Sequence, residues 1–292
     1  MNAFLTWWQH LPEKMNPVFF KIGGFSLHYY GLMYLVAFAV VYMMAIYRIK
    51  REKRFSLSVD EIQNLMIFMM IGLIVGARLG YVVIYNPVYY LKHPLEIFLP
   101  FSFSNGFTFT GIAGMSFHGG LIGVLVALWY STRKTASNFW DICDLFVPII
   151  PLGYTFGRIG NFINGELYGR ITTSRIGMYF PLAPGPNLRY PSQLFEAFFE
   201  GIVLFIVLWN LRKARTPTGA MLSFYLIGYG LVRFFIEYFR QPDPQFVRPG
   251  HPLGSVILSF SMGQLLCGLM IVGGVLLYLF LSRLEKQRGA PS

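Results

Sequence analysis

Charge is scarce in this sequence. Only 13% of its 292 residues are charged, against 55% hydrophobic and 18% aromatic, a balance that excludes a soluble domain of ordinary composition. There are two cysteines, Cys143 and Cys267, both inside apolar runs, so a disulfide framework is not expected and each reads as a small apolar filler. His-x-x-x-His, Cys-x-x-Cys and clustered acidic patterns are missing, which argues against a bound metal, and nothing calls for another cofactor. A Walker loop and G-x-S-x-G are missing too, which sets aside an ATP-driven pump and a serine hydrolase. No soluble domain, low-complexity tract or internal repeat is visible, and residues 1–26 lack the isolated apolar core and small-residue cleavage site of a cleavable signal.

What is present is apolar sequence in long runs. About 20 apolar residues cross a bilayer as a helix, and seven stretches meet that requirement, at 27–47, 65–85, 112–130, 142–161, 194–211, 220–239 and 260–281. The expectation is an all-α integral membrane protein of seven transmembrane helices, a single polytopic domain over residues 1–292. Basic residues gather on alternate loops: Arg48, Lys50, Arg51, Lys53 and Arg54; Arg133 and Lys134; Arg212, Lys213 and Arg215; Arg283, Lys286 and Arg288. The positive-inside bias puts these loops and the carboxyl terminus in the cytoplasm and the amino terminus outside. Most of the formal charge of +11 is spent on this topology signal and on nearby anionic headgroups of membrane lipids, so nucleic acid is not an expected partner.

The outward pieces, 1–26, 86–111, 162–190 and 241–259, are longer than the inner loops. Trp7 and Trp8 suit an interfacial anchor. The proline- and aromatic-rich 86–111 suggests an arm along the membrane surface, and 162–190, with Pro181, Pro184, Gly185 and Pro186, is long enough for a small outward-facing cap. Gly72, Gly76 and Gly80, and again Gly119 and Gly123, stand four apart on helix faces, which predicts close helix packing.

The decamer GRIGNFINGE from Gly157 closes an apolar run with an arginine, two asparagines and a glutamate. Buried polar groups there cost several kcal/mol, on the order of 2–7 each, unless paired or working. Arginine inside a span is the most expensive choice, at ~2.5–3.5 kcal/mol by insertion scales. The sequence places Arg78, Arg158, Arg233 and Arg240 in the outer halves of spans two, four and six, which predicts a shared outward-opening cationic cavity suited to phosphate or carboxylate oxygens. Snorkelling to headgroups is the alternative, favoured for Arg240 alone. For Arg78 pairing and function weigh equally.

Tyr229, Arg233, Glu237 and Arg240 form one helical stripe, on which Glu237 can bridge both arginines. Pro191 opens span five, and Gln193, Glu196 and Glu200 follow at steps of three and four; these carboxylates are expected to balance the arginines, with ligand contact second. His118 opens span three just before Gly119 and Gly120 and is either a hydrogen-bonded helix-start residue or a proton acceptor. Tyr30 belongs by default to the aromatic belt. Asp144 is expected to be structural, a buried partner for a basic residue.

Together these residues resemble the prolipoprotein diacylglyceryl transferases, membrane enzymes that lipidate bacterial lipoprotein precursors. The resemblance rests on LHYYGLMYL from Leu27, GARLGYV from Gly76, MSFHGGLIG from Met115, GRIGNFINGELYGR from Gly157, YPSQLFE from Tyr190, GYGLVRFFIEYFRQPD from Gly228 and SMGQ from Ser261. It implies a multi-pass protein of the bacterial cytoplasmic (inner) membrane. Its partners would be phosphatidylglycerol and a prolipoprotein signal peptide with a lipobox cysteine; the diacylglyceryl group would pass to the cysteine thiol as glycerol phosphate leaves.

The resemblance further implies His118, Arg158 and Arg233 as catalytic residues. Tyr30, Arg78, Asn161, Asn164, Glu166, Gly169, Tyr229 and Glu237 are expected to bind substrate, and of these Tyr30, Asn161 and Gly169 match positions on which the family's function depends. Glu166, Glu196 and Glu237 would orient arginines, and Gly169 would permit a tight turn beneath the cap. Tyr190 stands where the family usually has histidine, so proton transfer is not expected there. A transporter of anionic lipid or anions is the alternative class, though such proteins often carry repeats or broken helices in matching halves.

Overall fold

The protein is described from a computed structural model. The described residues are 3–22, 25–85, 87–97, 99, 101–102, 108–109, 114–133, 138–242, 255–257 and 260–289. Among them, the long elements are helices and the strands form only short antiparallel pairs. The chain divides into two compact units, residues 1–45 with 143–292, and residues 46–142.

The larger unit begins with helix α1 (Ala3–Gln9) and the hairpin of β1 (Val18–Ile22) with β2 (Phe25–His28). Helix α2 (Tyr29–Arg51) follows and carries the chain into the smaller unit. That unit is built on α3 (Val59–Tyr85) and α4 (Phe117–Thr132). The expected glycine seam forms between them: a Cβ on Gly72 would lie 2.7 Å from Ala127 Cβ, and one on Gly76 would run into the Gly119 carbonyl. With so little side chain between them the backbones touch, so contact along the helices replaces the hydrophobic drive that lipid cannot supply.

Arg78 on α3 donates from Nε to Ile97 O at 2.6 Å and from its two terminal nitrogens to Glu96 O at 2.6 Å and Gly114 O at 3.2 Å. Its guanidinium also lies 4.9 Å from the Tyr90 ring centre. Arg78 thus ties the segment 87–97 to α3. Of the expected arm, residues 86, 98, 100, 103–107 and 110–111 lie outside the described residues, as do 243–254 and 258–259 of the later outward piece.

The chain re-enters the larger unit within α5 (Phe139–Phe146), which meets α6 (Ile150–Ile163) at a bend of 52°. Sequence periodicity predicts one straight span here, and proline breaks it. Pro148 sits in the break and Pro151 in the first turn of α6, where a missing N–H costs nothing but the preceding helix cannot run on. Asp144 on α5 accepts from the N–H groups of Gly219 at 2.9 Å and Met221 at 3.1 Å, capping the start of α8 (Ala220–Ile236).

Helix α7 (Ser192–Leu211) lies between and is wound as a π-helix from Glu196 to Val203. It packs on α6 at Gly201, whose missing Cβ makes room for Thr155. The chain ends in α9 (Met262–Gly289). Leu269, Leu276 and Phe280 stand exposed on it, as lipid-facing side chains do.

Among the described residues four helices, Tyr29–Arg51, Val59–Val83, Ser192–Leu211 and Met262–Gln287, are long and apolar enough to cross a membrane, or five where the bent pair is counted as one span. The other two runs give shorter apolar helices, Gly119–Thr132 and Ala220–Ile236. Ser116, an N-cap accepting from Gly119 N–H, starts α4 later than hydropathy alone predicts. At the other helix, residues 237–239 turn so that Arg240 can pair with Gly169 as a β-bridge.

Residues 162–190 fold into a small layer of their own. Phe162, Met178 and Phe180 form its core, against which Trp8, Leu11, Met15 and Tyr168 pack. The amino-terminal segment therefore docks here: Trp8 Nε1 donates to Ile176 O at 3.1 Å and Tyr179 N–H to Gln9 O at 2.8 Å. Arg189, buried under the layer, donates to Gly169 O and Gln241 Oε1 and lies 4.9 Å from the Tyr168 ring centre.

Candidate functional site: a buried arginine and carboxylate cluster

The bend before α6 and the π-turns of α7 bring opposite charges together. Glu196 is fully buried. Its Oε2 lies 2.8 Å from Arg158 Nε on α6, and its Oε1 lies 3.3 Å from a terminal nitrogen of Arg233 on α8. The same Oε1 is 3.9 Å from Arg240 Nε. One carboxylate thus holds three guanidinium groups from three segments. Arg240, for which snorkelling is the favoured expectation from sequence, turns inward instead, because its backbone is bridged to Gly169 and a carboxylate is at hand.

Glu200, one step along α7, takes the Arg233 guanidinium on Oε1 at 3.3 Å and the Tyr154 hydroxyl on Oε2. The Tyr154 ring in turn lies under Arg158, 4.7 Å from ring centre to guanidinium carbon, a cation–π contact. Glu237 completes the set at 3.3 Å from Arg233. The stripe on α8 therefore bridges Arg233 to Glu237, while Arg240 pairs with Glu196. The apparent surplus of positive charge on that stripe is met from α7, as the spacing of Glu196 and Glu200 leads one to expect.

The polar decamer forms the second half of the cluster. Arg158 donates to Asn161 Oδ1 at 3.3 Å, and Asn161 donates from Nδ2 to Glu166 Oε1 at 2.8 Å. Asn164 reaches the same oxygen at 3.4 Å. Glu166 thus touches the asparagines directly and reaches Arg158 through Asn161. Gln193, fully buried, donates to Glu166 O at 2.5 Å and ties α7 to the turn that carries these groups.

Tyr30 packs where Gly160 leaves room, with its Cα 3.4 Å from the position a Cβ would take. Its hydroxyl meets that of Tyr34 at 3.1 Å. Tyr229 faces Tyr154 edge-on at 6.2 Å and stacks on Tyr225.

Gly169 is not at a tight turn, contrary to the expectation from sequence. The left-handed residues just before it are Gly165 (φ 70°) and Leu167 (φ 56°), whereas Gly169 is wedged between extended segments. Its N–H donates to Tyr190 O at 2.8 Å, and a Cβ there would lie 2.6 Å from that oxygen and collide with Phe239 O. Beside it Arg170 donates from Nε to Arg240 O at 2.8 Å. Burial lowers the Arg170 pKa while the nearby Glu237 charge opposes that shift. Tyr190 packs its ring on Phe195 and Phe239.

His118 lies in the first turn of α4, with its side chain outside the described residues, and Arg78 belongs to the same smaller unit. The structure brings together Arg158, Arg233, Asn161, Asn164, Glu166, Tyr229, Glu237 and Tyr30 within the larger unit. Sequence reasoning passed over Tyr154, though its position one turn before Arg158 was the available signal.

Fold and cluster define a helical integral membrane protein with a buried arginine and carboxylate centre. The chain belongs to the prolipoprotein diacylglyceryl transferase family: the family profile described as "Prolipoprotein diacylglyceryl transferase" matches residues 17–280. Curated relatives named phosphatidylglycerol--prolipoprotein diacylglyceryl transferase include one from Chlorobaculum tepidum, 56% identical over 94% of this chain and 93% of its own length. Another, from Treponema denticola, is 42% identical over 90% and 93%. A third, from Coxiella burnetii, is 44% identical over 90% and 95%.

Proposed function

We propose that this protein transfers the diacylglyceryl group of phosphatidylglycerol to the lipobox cysteine thiol of a prolipoprotein signal peptide, in the bacterial inner membrane. A sulfur–carbon bond forms to the glyceryl carbon, the carbon–oxygen bond to phosphate breaks, and glycerol phosphate leaves. Family membership and the names of the relatives support the reaction. The observation that carries the site is the meeting of Arg158 and Arg233 on the two oxygens of Glu196.

A departing phosphate ester needs positive charge and hydrogen-bond donors already in place, because donors fixed beforehand cost no reorganisation as charge grows. Arg158 and Arg233 supply the charge, and Asn161 and Tyr30 the neutral donors. Asn164, Glu166, Tyr229 and Glu237 hold these groups, Gly169 keeps the cap strand close, and Arg78, which holds the segment 87–97, is a further substrate-binding residue. A thiol of pKa about 8.5 is mostly protonated at neutral pH, and His118 takes its proton.

The two shorter apolar helices count as crossings in this reading, giving seven spans in one domain with the amino terminus outside. Residues 162–190 form an outward cap that limits water at the site. Purified protein, phosphatidylglycerol and a lipobox peptide test the reaction by mass spectrometry. A peptide heavier by one diacylglyceryl unit is the expected product, whereas lipid movement without adduct would make the protein a transporter. Full transfer by His118→Gln would remove that residue from the chemistry.

A further inference from the structure

The SMGQ segment from Ser261 has no place in the chemistry above, yet it touches the site. Ser261 is the residue before α9, and its Oγ accepts from Gln264 N–H at 3.1 Å while Gln264 Oε1 accepts from Ser261 N–H at 3.0 Å. This is a reciprocal capping box. It leaves the Ser261 hydroxyl proton free, and that proton is donated to Glu237 Oε1 at 3.1 Å. Both residues are buried. The other Glu237 oxygen is left to Arg233 at 3.3 Å.

Gly263, on the first turn of α9, completes the seat. A Cβ there would lie 2.6 Å from Glu237 Oε1 and 3.0 Å from Oε2. An alanine suits a helix better than glycine by about 1 kcal/mol, so the glycine is unfavourable for α9 and favourable only for the carboxylate beside it. Gln264 Nε2 also reaches Phe234 O on α8 at 3.5 Å, which sets α8 against the cap.

We propose that the capping box of α9 is a carboxylate seat. Ser261 and Gly263 are positioning residues that fix Glu237, and through it the aim of the Arg233 guanidinium at the phosphate. The inference rests on the role of Arg233 proposed above. It separates two duties of one serine, since capping needs only a side-chain acceptor and the seat needs the hydroxyl proton.

The test is a set of purified variants assayed for transfer to a lipobox peptide, with melting temperatures measured beside kcat and the KM for phosphatidylglycerol. Gly263→Ala should leave the melting temperature unchanged or raised while kcat falls roughly tenfold. Ser261→Ala should lower kcat by a similar factor, Ser261→Thr should restore it, and the double variant Ser261→Ala, Glu237→Gln should lose no more than Glu237→Gln alone.

Retention of full kcat by Gly263→Ala, or additive losses in the double variant, would overturn the seat. So would a fall in kcat matched only by a fall in melting temperature, which would reduce Ser261 to a helix cap. Arg233→Gln distinguishes the two levels of the argument. Full activity in that variant sinks the role of Arg233 itself, whereas an inactive Arg233→Gln beside a fully active Ser261→Ala sinks the seat alone.

Discussion

Replacing Glu196 by glutamine keeps the shape of the side chain and removes one negative charge from the centre of the cluster. The carboxylate is fully buried and lies 2.8 Å from Arg158, 3.3 Å from Arg233 and 3.9 Å from Arg240. Breaking a buried ion pair from one side costs about 3–5 kcal/mol, since the remaining charge is left unpaired. Glutamine still offers an oxygen to Arg158, which puts the loss at the lower end. A fall in melting temperature on the order of 5–10 °C follows.

Lipid binding should move the other way. An anion approaching the cluster no longer meets the Glu196 charge, and two unit charges about 7 Å apart interact by roughly 2 kcal/mol at an effective dielectric of about 20. The KM for phosphatidylglycerol should therefore fall, by up to about 30-fold, while kcat falls at least about tenfold as Arg158 loses its anchor. Transfer to a lipobox peptide at varied lipid concentration, with a thermal melt in the same detergent, gives all three values. A raised KM, or a melting temperature equal to that of the parent protein, would refute this account of the cluster.

Gly169→Ala should destabilise the layer of residues 162–190 by about 1–3 kcal/mol and abolish most transfer, because the added methyl meets Tyr190 O and Phe239 O, which are backbone atoms that cannot swing away; an unchanged melting curve would contradict this. Gly76→Val should disrupt the seam of α3 with α4, where Gly119 and Gly123 leave no room for a branched side chain, and limited proteolysis of the variant should cut within residues 46–142 faster than in the parent. Tyr190→Phe should stay within about 0.5 kcal/mol of the parent in stability and retain transfer, since Tyr190 packs by its ring against Phe195 and Phe239; a large loss of activity would restore a chemical role to that position.

The polar residues within apolar runs were legible because lipid makes each of them costly. Arg158, Asn161, Glu166, Arg233 and Glu237 stand out for that reason alone, and the spacing of Glu196 and Glu200 pointed to the charges that balance them. The glycine seam was legible from its period of four. The bend of 52° before α6 was signalled by Pro148 and Pro151, but hydropathy averages across a bend and merges the two helices into one span. The π-winding from Glu196 to Val203 left no local signature, since it depends on how α7 packs against α6 and α8.

Sequence by itself determined that this is a helical membrane protein, which polar groups the apolar runs carry, and the family to which its motifs point, because composition and period are local properties of the chain. Tertiary structure decided the partners. Arg240 turned to Glu196, Arg158 found the other oxygen of the same carboxylate and Ser261 found Glu237, pairs separated by 44 positions in the first case and by 24 in the last. Gly169 proved to be a point of close approach and not a turn. Such assignments rest on distances between segments remote in the chain, which folding sets and spacing along one helix cannot express.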